Sequence, residues 1–149
     1  MGNICRSPSA EAVLRELARR EFPLLQLEVD SAGTHGYHIG DPPDPRSIAA
    51  GRKRGYDLTT LRARQVERSD FERFDWLLAM DAANLERLQQ LAPASTAGRE
   101  RLFLEFVGES PRKEVPDPYY GETADFELVL DLLESASRRL LRQLTASTK

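Results

Sequence analysis

A single cysteine, Cys5, stands among 149 residues, so an internal disulfide and a cysteine-rich metal cluster are both excluded. No His/Cys/carboxylate cluster with ligand spacing is present, and no metal or other cofactor is expected. No apolar run approaches the ~20 residues needed to span a bilayer, and the N-terminus lacks a signal-peptide pattern. A membrane role is therefore not expected. Basic residues are not in excess: 21 Lys+Arg face 24 Asp+Glu, for a net charge of -3. That balance argues against a broad nucleic-acid footprint. Internal repeats, linkers and low-complexity tracts are also missing. What remains is globular composition, 40% hydrophobic and 30% charged, in a chain of one-domain length. Such a chain buries roughly two-thirds of its unfolded surface, enough for one core. A soluble cytoplasmic domain is the expectation.

Strand and helix patterns alternate along the chain. Ser7 suits an N-cap and Pro8 a first helical residue, and Val13, Leu14, Leu17 and Ala18 recur at helical spacing, which predicts a helix over 8–21. Leu27 and Val29 alternate with polar neighbours in a short strand, 26–30, before a loop at Ser31-Ala32-Gly33-Thr34. From Tyr37 to Pro45 the Gly, Pro and Asp content predicts an irregular ordered loop. A helix over 46–54 should end at Gly55. Asp75 to Met80 reads as a buried strand closed by Asp81, and Leu85, Leu88 and Leu91 mark the helix after it. A further strand is expected over 101–106. Phe126, Val129, Leu130, Leu133, Leu140, Leu141 and Leu144 trace one face of a long C-terminal helix. The class is α/β, a mostly parallel sheet flanked by helices.

The N-terminal segment has the makings of an anion loop, since backbone N–H groups at a helix N-terminus favour phosphate. Gly2 allows close backbone approach, Asn3 tolerates left-handed geometry, Ser7 brings a hydroxyl, and Arg6 a planar fork matched to phosphate oxygens. From these residues alone, a disordered start before a capped helix is an equal reading. Asp117, between Pro116 and Pro118, sits where the backbone is stiff on both sides; the plain alternative is a turn with no chemistry.

Gly2-Asn3-Ile4-Cys5-Arg6-Ser7-Pro8, followed by Ala10-Glu11-Ala12, resembles the low-molecular-weight protein-tyrosine phosphatases. The resemblance runs through Asp30-Ser31-Ala32-Gly33-Thr34, Pro43-Asp44-Pro45-Arg46, Arg62-Ala63-Arg64-Gln65 and Ala79-Met80-Asp81. It closes with Pro116-Asp117-Pro118-Tyr119-Tyr120-Gly121. It implies a single three-layer, Rossmann-like domain over 1–149 that hydrolyses phosphotyrosine monoesters through a phosphocysteine. It also implies a phosphate loop of Gly2, Asn3, Ile4, Cys5, Arg6 and Ser7, with Arg6 and Asp117 as catalytic residues and Tyr37, Tyr119 and Tyr120 around the substrate ring. Asn3 and Ser7, with Ser31, would shape the loop; Asp81 and Arg64 are expected as a supporting polar pair. Leu61 stands where many relatives carry a histidine that could bond the loop asparagine. His35 and His38 read as loop-packing histidines.

One part is not in the chain. In this family the nucleophilic cysteine lies six positions before the loop arginine, which places it immediately before Met1. Cys5 adjoins Arg6 and cannot serve; it reads as a small, weakly polar residue facing the loop interior. The first central strand would be missing with the nucleophile, and a strand carries several apolar side chains worth ~1.5–3 kcal/mol each. Against a domain stability of ~5–15 kcal/mol that loss leaves little margin, so a natural product extended upstream of Met1 is expected. The partner would be a phosphotyrosine protein or a small aryl phosphate, and the full-length protein a monomer. The literal chain, without its thiolate, would bind phosphate without turnover, as a pseudophosphatase. An arsenate reductase is a weaker alternative, since it needs resolving cysteines that this sequence does not have.

Overall fold

A computed structural model gives the structure of the protein and describes residues 4–108 and 112–147. Helix α1 (Arg6–Glu21) starts two residues earlier than its sequence pattern suggests, with Cys5 at the N-cap position and no side-chain cap. Ser7 and Pro8 therefore lie inside the first turn rather than before it. The proline is tolerated there because the first N–H groups of a helix have no intrahelical acceptor. Glu16 bridges Arg20 at 2.8 Å on the exposed side of α1, while Val13 and Leu17 are buried on the other. Helix α2 (Pro45–Lys53) is capped by Asp44, which accepts from the Arg46 amide at 2.8 Å, and closes at Gly55 with φ +85°, as its C′ position requires.

After the short helix α3 (Asp70–Arg73) comes strand β1 (Leu77–Ala79), then α4 (Ala82–Leu91). A single 3₁₀ turn over Ala94–Thr96 leads to β2 (Glu100–Leu102), which passes directly into the helical turn α5 (Phe103–Phe106). The strand expected over 101–106 is thus half helix. Its Phe103 and Leu104 are buried against the C-terminal helix, where a helical turn places both on the core side. The chain ends in α6 (Thr123–Ser147).

β1 and β2 pair in parallel, Leu77 with Glu100, Leu78 with Arg101 and Ala79 with Leu102. Side chains alternate across a strand, and here they divide the core. Leu77 and Ala79 pack with Phe71 and Leu88 on the α3–α4 side. Leu78 and Met80 pack with Phe103, Leu133 and Leu140 on the α6 side. Helix α1 joins α6 through Val13, Leu17, Leu130 and Leu141. The result is an α/β three-layer arrangement with a small parallel sheet in the middle.

The strand expected over 26–30 does not form. A strand exists by hydrogen bonding to a neighbour, and among the described residues no backbone partner lies beside this segment. Gln26, Leu27, Glu28 and Asp30 are exposed, and the next backbone pairing is the isolated bridge between Gly33 and Gln65.

Candidate active site

The C-terminal end of β1 and the N-terminal end of α1 meet at one ion pair. Asp81, which follows the strand, caps α4 by accepting from the Asn84 amide at 2.8 Å with one carboxylate oxygen. Its other oxygen accepts from Arg6 Nη1 at 2.7 Å. The same Nη1 donates to the Val115 carbonyl at 2.8 Å, and Val115 in turn donates its amide to Met80 at 2.8 Å. The guanidinium, only 4% exposed, is thereby locked between the strand end and the 112–121 loop. Its Nη2 lies 4.0 Å from the Asp117 carboxylate, which is exposed and accepts from the Tyr119 amide at 3.1 Å. A fixed cation, a helix N-terminus and a solvent-facing carboxylate thus share one corner, an arrangement that can hold an anion and move a proton beside it.

The segment entering α1 is held at the same corner. Ile4 accepts from the Asp44 amide at 2.7 Å, and Cys5 accepts from the Ser9 hydroxyl at 2.8 Å. Cys5 is buried, and this burial, with the negative charge of Asp44 added, pushes its thiol up to about 12. A thiol so placed is neutral at physiological pH and cannot act as a nucleophile there, since the thiolate is the reactive form. Cys5 in the native protein should therefore resist a disulfide reagent at pH 8 and react at a free-thiol rate only in denaturant. Fast native modification would contradict this environment.

Three carboxylates, Asp44 and Asp81 at this corner and Asp70 beside Arg64, stay charged. At Asp44 the hydrogen bonds from Arg46 dominate and hold the carboxyl below its ordinary range. At Asp81 burial opposes ionisation, yet the Asn84 amide and Arg6 outweigh it; at Asp70 the Arg64 fork and the Glu67 amide do the same. Carboxyls lowered in the folded state add stability that is complete above their unfolded value, ~3.9, and lost as pH falls through the folded values. Urea midpoints should therefore be level from pH 7 to about 5 and drop below about pH 4. A midpoint that rises on acidification would contradict the assignment.

Of the residues singled out in the sequence, Ile4, Cys5, Arg6, Asp117 and Tyr119 converge. Gly2 and Asn3 lie outside the described residues. Ser7 is half-buried in the first turn of α1. Tyr119 meets Tyr120 edge to face at 4.8 Å, and His38 lies 6.5 Å from Tyr119, so the 34–41 loop borders the 117–121 loop. Tyr37 is 75% exposed, its ring stacked on His35 at 5.3 Å, and Tyr120 faces solvent. His38 is paired with Asp41 at 3.2 Å. Leu61 packs against the α1–α2 core.

The expected pair of Asp81 with Arg64 is not formed. Arg64 instead grips Asp70 at 2.9 and 3.1 Å and reaches Asp30 at 3.2 Å, because Asp81 is already engaged by Arg6. Arg46 has a role that the sequence pattern did not reveal. It bonds Asp44 through Nε and Nη2, donates to the Tyr119 carbonyl at 2.7 Å and to the Gly121 carbonyl at 3.3 Å, and lies 4.6 Å over the Phe126 ring. It fastens the N-terminus of α2 to the loop that carries Asp117. The available signal was the pair of Pro-Asp-Pro segments at 43–45 and 116–118, the first directly followed by Arg46.

The model of the family described as low molecular weight phosphotyrosine protein phosphatase matches residues 1–149. A low molecular weight protein-tyrosine-phosphatase of Streptomyces coelicolor is 45% identical over 145 residues, covering 94% of this chain and 87% of the relative. The YfkJ phosphatase of Bacillus subtilis is 39% identical over 141 residues, covering 95% and 89%. Among solved structures, a protein tyrosine phosphatase of Entamoeba histolytica with Hepes in its active site superposes with a TM-score of 0.92 at 37% identity, covering 100% of this chain and 95% of that one.

Proposed function

The chain belongs to the low molecular weight phosphotyrosine protein phosphatase family, a family of protein-tyrosine phosphatases, and from that premise we propose that the corner around Arg6 binds the phosphoryl group of phosphotyrosine. The observation that carries this reading is the buried Arg6 guanidinium, tied to Asp81 and Val115 at the start of α1, with Asp117 4.0 Å away. Arg6 and the first amides of α1 hold the equatorial phosphoryl oxygens, most tightly as negative charge spreads over them in the transition state. Tyr119, and Tyr37 from the neighbouring loop, border the phenol ring, with Tyr120 at the rim.

The chemistry takes two displacements. A cysteine thiolate attacks phosphorus, the phosphorus–phenol oxygen bond breaks, and the Asp117 carboxyl proton passes to that leaving oxygen. A water then attacks phosphorus and gives its proton to the Asp117 carboxylate, the sulfur–phosphorus bond breaks, and phosphate departs with the thiolate regenerated. Cys5 is excluded as that thiolate by its burial. By the family resemblance the nucleophile would stand six positions before Arg6. Gly2 and Asn3 complete the loop in this reading and Ser7 supports it, whereas the Ser31 hydroxyl, expected in the same network, donates to Glu11 at 2.6 Å; the domain acts as a monomer on phosphotyrosine proteins or small aryl phosphates. Its single thiol suits the reducing cytoplasm, and no described helix is long and apolar enough to cross a membrane.

Without the thiolate the same residues make a phosphate-binding site. Calorimetry with inorganic phosphate, alongside p-nitrophenyl phosphate assays, separates the parts of the proposal. The 149-residue chain should bind phosphate and show no turnover above background. An otherwise identical polypeptide with a strand ending in cysteine placed before Met1 should turn over. Failure of the first to bind phosphate, or hydrolysis by it unaided, would overturn the assignment.

A further inference from the structure

The chemistry proposed for the Arg6 corner needs two segments at one fixed separation: the loop entering α1, which holds the phosphoryl group, and the 116–121 loop, which carries the proton donor. Asp44 and Arg46, at the start of α2, stand between them. Asp44 donates its amide to the Ile4 carbonyl at 2.7 Å, and its carboxylate accepts from Arg46 Nε at 3.1 Å and Nη2 at 2.9 Å. The same guanidinium donates through Nη2 to the Tyr119 carbonyl at 2.7 Å and through Nη1 to the Gly121 carbonyl at 3.3 Å. The Tyr119 amide then donates to the Asp117 carboxylate at 3.1 Å. A continuous strut therefore runs from the backbone of the phosphate loop to the carboxylate of the proton donor. Among the described hydrogen bonds, every one that reaches residues 116–121 from outside that segment comes from Arg46. Pro116 and Pro118 have no N–H to offer, so the segment is held through its carbonyls.

Resting on the function given to that corner, we propose that Arg46 is a positioning residue for the proton transfer. By gripping Asp44 and the 116–121 carbonyls together, it sets the distance from the phosphoryl group at Arg6 to the carboxyl of Asp117. Proton transfer requires heavy atoms within about 2.6–3.2 Å, so a shift of ~1 Å in the loop is enough to lose it. The prolines beside Asp117 stiffen its backbone but do not fix where the segment sits, because a stiff segment can still move as a body. Only arginine suits the place. Its planar fork reaches a carboxylate and two carbonyls at once, whereas an ammonium group has a single nitrogen. The Arg46 side chain is 45% exposed, so its ion pair adds little to global stability, and its loss is read in the chemistry instead. Cutting the strut leaves Arg6 its grip on phosphate and leaves Asp117 its carboxyl; what fails is their spacing.

Arg46→Lys keeps the charge and loses the fork. In the 149-residue chain, phosphate affinity should stay within about twofold, because Arg6 keeps Asp81 and Val115. Amide exchange at Tyr119 should speed by about tenfold or more, with Asn84 unchanged. In the polypeptide carrying the nucleophile, kcat/KM should fall about tenfold or more with phenyl phosphate and less than about threefold with p-nitrophenyl phosphate, whose leaving oxygen needs little protonation. Added to Asp117→Asn, Arg46→Lys should cost nothing further with either substrate, because the group it positions is gone. Asp44→Asn keeps the cap on the Arg46 amide and breaks the ionic half of the strut, so it should reproduce the same dependence on leaving group with Arg46 in place. Equal losses with the two substrates, or a further loss on the Asp117→Asn background, would reduce Arg46 to a structural contact and overturn the inference while phosphate binding stands. Absence of phosphate binding by the unmutated chain, or of turnover by the unmutated polypeptide with the nucleophile, would overturn the function of the corner and this inference with it.

Discussion

Arg6→Met should abolish phosphate binding and lower the folding free energy by about 3 kcal/mol, read from calorimetry and urea melts on the same preparation. Both effects have one origin. Nη1 serves the Asp81 carboxylate at 2.7 Å and the Val115 carbonyl at 2.8 Å, and the group is almost wholly withdrawn from water. Methionine fills much of the volume but leaves Asp81 with the Asn84 amide alone and Val115 without a donor. Breaking a buried pair by deleting one partner is costly because the remaining charge has lost both water and counter-charge. Asp81 is 24% exposed, which places the loss toward the lower end of the usual ~3–5 kcal/mol range for such pairs. Arg6→Lys separates the two roles. It keeps the charge, and so most of the stability, but cannot present a planar fork, so phosphate affinity should still fall. Unchanged phosphate affinity in the methionine variant would remove Arg6 from the site.

Asp117→Asn is the second large effect and has the opposite balance. In the polypeptide carrying the nucleophile, turnover of phenyl phosphate should fall ~10²–10⁴-fold, the usual contribution of a positioned general acid. With p-nitrophenyl phosphate the loss should be much smaller, because that leaving oxygen needs little protonation. Stability should change by less than about 0.5 kcal/mol, since Asp117 is exposed and its one backbone bond, from the Tyr119 amide, can be kept by the asparagine carbonyl. An equal loss with both substrates would assign Asp117 a positioning role instead of proton transfer.

Helices were legible where apolar spacing and end signals agreed. Gly55 marked the end of α2, and the leucine stripe marked α6, which begins three residues before Phe126. The start of α1 was misread because Ser7 and Pro8 are good capping residues whose local preference gave way to the packing of Cys5 and Arg6. Residues 26–30 show why a strand cannot be inferred from alternation alone: Leu27 and Val29 have the right period, but pairing is a property of two segments. Residues 103–106 show the converse, an apolar run equally suited to strand or helix until α6 supplies the surface it packs on. In the site, the residues that bear chemistry carried local sequence signals. Their partners did not, since Arg6–Asp81 and Arg46–Tyr119 join segments far apart in sequence, and an arginine's sequence context does not reveal which carboxylate it will reach.

Those long spans have a kinetic meaning. The bonds from Arg6 close over 75 residues to Asp81 and 109 to Val115, and those from Arg46 close over 73 to Tyr119 and 75 to Gly121. Contacts so distant in sequence form late, because the entropy of loop closure must be met before they contribute. During synthesis, Arg6 emerges early but has no carbonyl at Val115 to hold it until three-quarters of the chain has followed. The corner around Arg6 is therefore among the last features to assemble, and a chain arrested or cut before the 112–121 loop lacks the Val115 and Tyr119 carbonyls that hold Arg6 and Arg46.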